Sequence, residues 1–311
     1  MTELTHAVPL LSLEKLPPAA FADAIGRSFE EYGFAMLCDH GMDYDLIARG
    51  WALNRAFFDL PAETKRRYHV EGLAGQRGYT PYRVEIAKGA SERDLKEFWH
   101  VGRELDPTSP DAATMPANLW PQEVAGFRET FTALYDSFET LGRRVLSGIA
   151  VHLGLQPDWF DPAILNGNSI LRLLHYPPVA GPTPAIRAGA HEDINLITLL
   201  LGAEEAGLQL LTRAGEWIGI NPPPGAIVVN VGDMLQRLTN DRLRSTTHRV
   251  INPAAERAGA SRYSMPFFLH LRPDFVIDPL PGCISAAHPA RYAPITAQAY
   301  LEERLREIGL M

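Results

Sequence analysis

The stretch "RAGAHEDINLITLL" (187–200) carries a histidine and two acids at the mouth of a run as apolar as "INLITLL". The "AGA" segment supplies the turn that precedes a strand, and the apolar run reads as the buried strand itself. His191, Glu192 and Asp193 are surplus to that strand. In extended backbone, residues i and i+2 project to the same side. His191 and Asp193 therefore point together, and Glu192 points away. One imidazole and one carboxylate side by side make two thirds of a metal site. A third donor has to come from another strand, and His248 in "STTHRV" stands 57 positions on (248 − 191).

The bulk of the chain sets the frame. Its 311 residues are 46% apolar and 21% charged, ordinary for a globular protein and enough to bury a core without disulfides. Cys38 and Cys283 are the only cysteines, so neither a disulfide framework nor a zinc knuckle is expected. A formal net charge of −8 argues against binding to a phosphate backbone, and no nucleic-acid partner is expected. No apolar run approaches the ~20 residues of a membrane helix. The opening "MTELTHAVPLLSLEKLPP" has no basic region followed by an apolar core. A cytoplasmic, membrane-free setting is the expectation.

Texture divides the chain. The first third reads as helical with one early strand. "PPAAFADAIGRSFEEYGF" (17–34) and "DYDLIARGWALNRAFFDLP" (43–61) show helical spacing, with "FAMLC" (34–38) as the strand between them. Residues 72–100 read as loop-rich, and "EVAGFRETFTALYDSFETLGRRVLSGIAVHLGL" (123–155) reads as a long helix. After about residue 168, short apolar runs alternate with turn clusters, as in a sandwich, barrel or jelly roll. "AIVVNVGDMLQRLT" (226–239) is taken as one of these runs. The chain closes with a helical stripe of Ala297, Leu301, Leu305 and Ile308, which would serve as either a lid or an interface. The class is mixed α/β (α+β), with a helical region over 1–120 and a β core over 121–311 acting as one cooperative unit.

Two histidines and a carboxylate on one face of a metal leave the other face open for co-substrate and O₂, as in non-haem Fe(II) oxygenases. A structural zinc site instead closes with four protein ligands, often cysteines. With ten histidines in the chain, a lone H-x-D also arises by chance, so the surroundings have to decide. "VPLLSL" (8–13), "SFEEYGFAMLCDHGM" (28–42), "LRLLHYPP" (171–178), "HEDINLITLL" (191–200), the run from Gly207 to Val250 and "RYSMPFF" (262–268) follow one another in order. Together they resemble the isopenicillin-N-synthase-like family of Fe(II)/2-oxoglutarate-dependent dioxygenases along nearly the whole chain.

That resemblance implies a double-stranded β-helix (jelly-roll) core with a helical N-terminal portion and a C-terminal helix. It implies Fe(II) on His191, Asp193 and His248, with 2-oxoglutarate and O₂ as co-substrates. Arg262 and Ser264 would hold the distal carboxylate of 2-oxoglutarate, and Tyr176 would donate a further hydrogen bond to it. Being two apart in a strand, Arg262 and Ser264 share a face, and a guanidinium offers a planar fork to a carboxylate. Arg77, Tyr79, Tyr82, Lys96 and Trp99 fall where resembling enzymes shape the substrate pocket.

The implied reaction is oxidation, by hydroxylation, of a small molecule, with release of succinate and CO₂. Two alternatives stay open: an Fe(II) oxidase of the same fold that takes no 2-oxoglutarate, and a metal- or ligand-binding jelly-roll protein without turnover. Three departures stand out. Glu192 occupies the middle of the H-x-D, Leu174 stands where many relatives have asparagine, and the loop "NPAAERAGA" (252–260) makes Arg257 a rival to Arg262. His40 reads as a structural turn element, and His152 on the long helix as a core or surface residue.

Overall fold

The computed structural model describes residues 8–73, 75–86, 92–106, 108, 112, 115–179, 181, 183–202 and 207–307. Three helices open the chain: α1 (Pro18–Glu31), α2 (Tyr44–Phe58) and α3 (Ala62–Arg66). Proline in the first turn suits the start of α1, and Phe21, Ile25 and Phe29 follow at helical spacing as its buried stripe. The Asp43 carboxylate caps α2 by accepting from the backbone N–H of Asp45 at 2.8 Å. The long helix α4 (Phe127–His152) buries a stripe from Phe131 through Phe138 and Val145 to Ile149. Shorter helices α5 (Asp161–Ile164) and α6 (Asp233–Leu238) follow, and α7 (Ala297–Glu307) closes the chain.

Two sheets make the core. In chain order the early strands are β1 (Leu10–Ser12), β2 (Phe34–Cys38), β3 (Gly78–Thr80), β4 (Glu97–Gly102) and β5 (Ile170–Tyr176). Then come β6 (Ala188–His191), β7 (Ile197–Leu201), β8 (Leu208–Leu211), β9 (Trp217–Gly219) and β10 (Ile227–Val231). The last are β11 (His248–Val250), β12 (Arg262–Leu269), β13 (Val276–Ile277) and β14 (Ile295–Thr296). The major sheet runs β1-β2-β10-β7-β12-β5-β4-β3 and the minor sheet β6-β11-β8-β9, with β13 and β14 as a separate pair. Phe98, Leu174 and Tyr176 of the major sheet pack against Leu208, Leu210 and Val250 of the minor one. This is the jelly roll, with α1, α2 and α4 covering the outer face of its major sheet.

Strand alternation sorts every side chain of the major sheet. Outward go Trp99, Leu173, Leu199 and Phe267, the last stacked on Phe138 of α4 at 5.5 Å. Inward go Phe98 and His100, Arg172 and Leu174, Thr198, Asn230, Arg262 and Ser264, paired through the ladder Arg262↔Tyr176, Ser264↔Leu174 and Leu174↔Phe98.

Three expectations need correcting. The front third is less purely helical than it reads, because β1, β3 and β4 all join the major sheet. All six residues of "EFWHVG" are buried, so no polar–apolar contrast marks them as a strand. "HEDINLITLL" is not one strand, since β6 ends at His191 and β7 begins at Ile197. Asn195 Nδ2 donates to the Ile197 carbonyl at 2.7 Å and turns the chain from one sheet to the other. "AIVVNVGDMLQRLT" splits as well, into β10 and α6. Gly232 marks the corner, where a Cβ would lie 2.1 Å from the Asn195 carbonyl oxygen.

A buried network on the outer face fastens β4. Glu97 accepts from Lys65 Nζ at 2.9 Å, from His175 Nδ1 at 2.7 Å and from the Tyr79 hydroxyl. Burial pushes the Glu97 carboxyl up, but these partners hold it below its ordinary value. Glu97→Gln strands the Lys65 charge and is expected to cost about 3–5 kcal/mol in urea unfolding at pH 7. A depressed carboxyl stabilises the fold above its unfolded pKa and loses that contribution as pH falls through the folded one. The gap between wild type and variant should therefore hold down to about pH 4.5 and narrow below it.

Candidate active site

His191 closes β6, His248 opens β11, and the two are direct partners in the minor sheet. Asp193 follows two residues after His191, on the segment that crosses to the major sheet. Each histidine Nε2 lies 3.9 Å from Asp193 Oδ1, and one donor atom from each residue fits within 4.8 Å of the others. His191 Nδ1 sits 2.7 Å from the Gly189 carbonyl and His248 Nδ1 sits 3.1 Å from that of Thr246. A carbonyl only accepts, so both Nδ1 atoms carry the proton and both Nε2 lone pairs face Asp193. The Phe34 ring stands edge-on to His248 at 5.5 Å and fixes its plane.

The Asp193 carboxylate is tied on one oxygen only. Its Oδ2 accepts from Thr198 Oγ1 at 2.6 Å and Asn230 Nδ2 at 2.8 Å, which leaves Oδ1 for the shared point between the histidines. Burial raises the Asp193 carboxyl, but the two histidines and these hydrogen bonds hold it below its ordinary value. Burial, with His248 adjacent, pushes His191 down to about 4. A neutral imidazole beside an ionised carboxylate is the state that binds a divalent metal. Among the described residues no fourth histidine, cysteine or acid joins this cluster, so the donor set is open on one side, as the 2-His-1-carboxylate class requires. Glu192 is exposed and accepts from Thr247 Oγ1 at 2.9 Å, away from the shared point.

Deeper in the roll, Arg262, Ser264 and Tyr176 are all buried on the inner face. The Arg262 guanidinium lies 5.0 Å from the Tyr176 ring centre, and its Nη1 is 3.4 Å from Ser264 Oγ. Leu174 packs beside Phe98, making that wall apolar. Arg257, the rival arginine, is exposed on a short turn (Ala255–Arg257), whereas Arg262 is buried.

A cavity of about 440 Å³ opens beside the triad. Its wall is polar and cross-braced. Glu85 receives Lys96 Nζ at 2.9 Å and both terminal nitrogens of Arg172 at 3.2 and 3.3 Å, while Asp94 takes Lys96 at 2.8 Å. Arg172 Nε donates to His100 Nε2 at 2.6 Å, and its guanidinium lies 4.2 Å from the Phe98 ring centre and 5.2 Å from that of Phe268. Burial and the Arg172 charge push His100 well below its ordinary value, leaving it neutral. His270 and Asn168 complete the polar side, and Leu301, Arg304 and Leu305 of α7 cover the cavity from above.

Residues 167–271 match the model of the "2OG-Fe(II) oxygenase superfamily", and residues 8–123 match that described as "non-haem dioxygenase in morphine synthesis N-terminal". The 2-oxoglutarate-Fe(II) type oxidoreductase hxnY of Emericella nidulans is 34% identical over 93% of this chain and 85% of its own length. The chain belongs to the 2OG-Fe(II) oxygenase superfamily. This dioxygenase depends on Fe(II) and 2-oxoglutarate. A Caulobacter crescentus protein named for the same family superposes with a TM-score of 0.91 at 50% identity, covering 97% of this chain and 99% of the other. A Neurospora crassa protein solved in complex with alpha-KG and thymine superposes at 0.87 and 30% identity, covering 98% of each chain.

The dioxygenase keeps only part of the pocket its sequence suggests. Of the five residues expected there, Lys96 lines the cavity and the other four do not. Trp99 and Tyr79 pair across β4 and β3 on the outward parity, where both are buried among the helices. Tyr82 is 40% exposed. Arg77 is buried beside the cavity, with Nη1 on the Gln76 carbonyl and Nη2 3.4 Å from Asn168 Oδ1. His100, Arg172, Phe268 and His270 are among the lining residues that sequence reasoning did not name. Parity separates His100 from Trp99 but does not by itself say which of the two faces the cavity. His40 and His152 both make structural contacts. His40 Nε2 bonds the Gly225 carbonyl at 2.8 Å, and His152 Nε2 lies 2.9 Å from Glu30. Ile308 lies outside the described residues. Lys96→Met leaves Glu85 and Asp94 without their shared cation, and a loss of about 3–5 kcal/mol is expected in thermal or urea unfolding of the metal-free protein.

Proposed function

We propose that Fe(II) is held by Nε2 of His191, Oδ1 of Asp193 and Nε2 of His248, and that Arg262, Ser264 and Tyr176 receive the distal carboxylate of 2-oxoglutarate. The observation that carries this reading is the one-sided tie on Asp193, which turns a single carboxylate oxygen to the point both imidazoles face. When bound, Fe(II) would supply the oxidative chemistry in which O₂ gives one oxygen atom to 2-oxoglutarate, yielding succinate and CO₂, and the other to a substrate C–H bond, yielding the alcohol. The chain's own residues do the rest. Thr198 and Asn230 aim the carboxylate, the Gly189 and Thr246 carbonyls set the imidazole tautomers, and Arg262 offers a buried counter-charge to a dianion that would otherwise be expelled from an apolar interior.

The substrate is a small polar molecule. Arg172, His100, Asn168 and His270 give the cavity both donors and acceptors, and Phe268 with Ile170 gives it an apolar surface beside the triad. The Neurospora crassa complex with thymine supports that size and polarity, and thymine is the first compound to try. Pairing of β2 with β10 and of β4 with β5 supports residues 1–120 and 121–311 acting as one unit. Two free cysteines are in keeping with a cytoplasmic protein.

Anaerobic visible absorption tests this reading. Fe(II)-loaded protein is expected to gain a charge-transfer band on addition of 2-oxoglutarate, lost in His191→Ala and lost or weakened in Arg262→Ala. Fe(II) binding with no such band in the wild type would favour an oxidase that takes no 2-oxoglutarate. Thr198→Val, which frees Asp193 Oδ2 to rotate, should weaken Fe(II) binding about 10–100-fold in an anaerobic titration.

A further inference from the structure

Arg187 stands immediately before β6 and is completely buried, at 0% exposure. Its Nη2 donates to the Ala260 carbonyl at 2.9 Å, while Nε and Nη1 have no hydrogen-bond partner among the described residues. The groups whose charge acts on it are Arg262, which repels it, and Tyr176. No carboxylate is among them. Arg262 shares this feature, since the charge that acts on it is that of Tyr176, but the remaining cations in the interior are treated differently. Lys65 meets Glu97, Lys96 meets Glu85 and Asp94, Arg103 meets Glu139, and Arg77 feels the charge of Glu104.

A buried guanidinium with unused donors is costly, and a second guanidinium nearby raises that cost. The geometry brings them together: Ala260, which holds Arg187, is two residues before Arg262, and Arg262 faces Tyr176 across the ladder. The two free donors of Arg187 therefore sit at the end of the roll where Arg262, Ser264 and Tyr176 converge.

We propose that Arg187 is a second arginine for the distal carboxylate of 2-oxoglutarate, sharing it with Arg262. The inference rests on the assignment of that carboxylate to Arg262 and Ser264 made above. It gives this dioxygenase two positive charges for one carboxylate at the far end of its co-substrate. It also predicts that Arg187 discriminates by that far end alone, with no influence on the groups that chelate the metal.

The test is calorimetric titration of the anaerobic Fe(II)-loaded full chain with two ligands. One is 2-oxoglutarate. The other is oxalate, which chelates a metal but has no distal carboxylate. In Arg187→Met the Kd for 2-oxoglutarate is expected to rise about 10–100-fold, the worth of a lost charge-assisted hydrogen bond, with that for oxalate unchanged. Arg187→Lys keeps a cation but not the planar donors, and carries the test if the methionine variant does not fold. Its Kd for 2-oxoglutarate should rise about tenfold, again with oxalate unchanged. Unchanged 2-oxoglutarate affinity in a folded variant overturns the proposal. So does an equal loss for both ligands, which would make Arg187 a brace for the Ala260 loop and nothing more. A wild type that binds oxalate but not 2-oxoglutarate would instead sink the co-substrate assignment, and this inference with it.

Discussion

Asp193 is aimed by two side chains that neighbour each other on different strands. Thr198 of β7 and Asn230 of β10 are direct partners in the ladder, both on the inner face, and both donate to the same carboxylate oxygen. A slip of one residue in either strand would turn one of these donors toward the helices. What fixes the register is the opposite face, where Leu199, Val229 and Phe267 are buried under α4. Hydrophobic packing on the outside of the sheet thus sets the angle of the proposed metal ligand on the inside. The corner at Gly232 adds a second constraint, because the Asp233 N–H donates to the Asp193 carbonyl at 2.7 Å. The ligand is held by its backbone as well as its side chain.

The cavity wall contains more charge than an interior normally tolerates, and pairing is what makes it tolerable. Desolvating a carboxylate or a guanidinium costs several kcal/mol, which mutual attraction offsets only when geometry is good. Glu85 achieves this with three contacts from two cations, and its carboxyl is held far below its ordinary value despite burial. Such a network contributes little net stability. Its effect is positional: Arg172 is clamped by Glu85, stopped by His100 and lies against two aromatic rings, so it keeps one orientation toward the cavity. The charges that act on Arg187 include no such carboxylate.

The proposed metal triad is legible in sequence because His191 and Asp193 stand two apart and the run of surrounding motifs singles out His248 as the third donor. The position of Arg262 and Ser264 is legible for the same reason, since a strand with period two puts both on one face. The substrate wall is not. "EFWHVG" is buried throughout, so only the pairing of β4 with β5 tells that His100 faces in and Trp99 faces out. Glu85, Asp94 and Arg172 meet through contacts distant along the chain, and no spacing rule reaches them. The splitting of "HEDINLITLL" is hidden too, because a short apolar run carries no mark of where it leaves one sheet for the other.

The C-terminal helix has the same ambiguity in sequence, and its surroundings resolve what it covers. Leu301, Arg304 and Leu305 form one wall of the cavity, while Ala297 and Tyr300 are buried against the core. The Tyr300 hydroxyl is 3.4 Å from Asp233 Oδ2, and Arg304 Nε is 3.9 Å from the same oxygen. Asp233 is pushed up to about 6 by burial, so its hold on α7 is a soft one compared with the packing of Ala297. Yet Asp233 also carries the backbone N–H that braces Asp193. The cover of the cavity and the brace of the metal ligand are therefore two attachments of one residue.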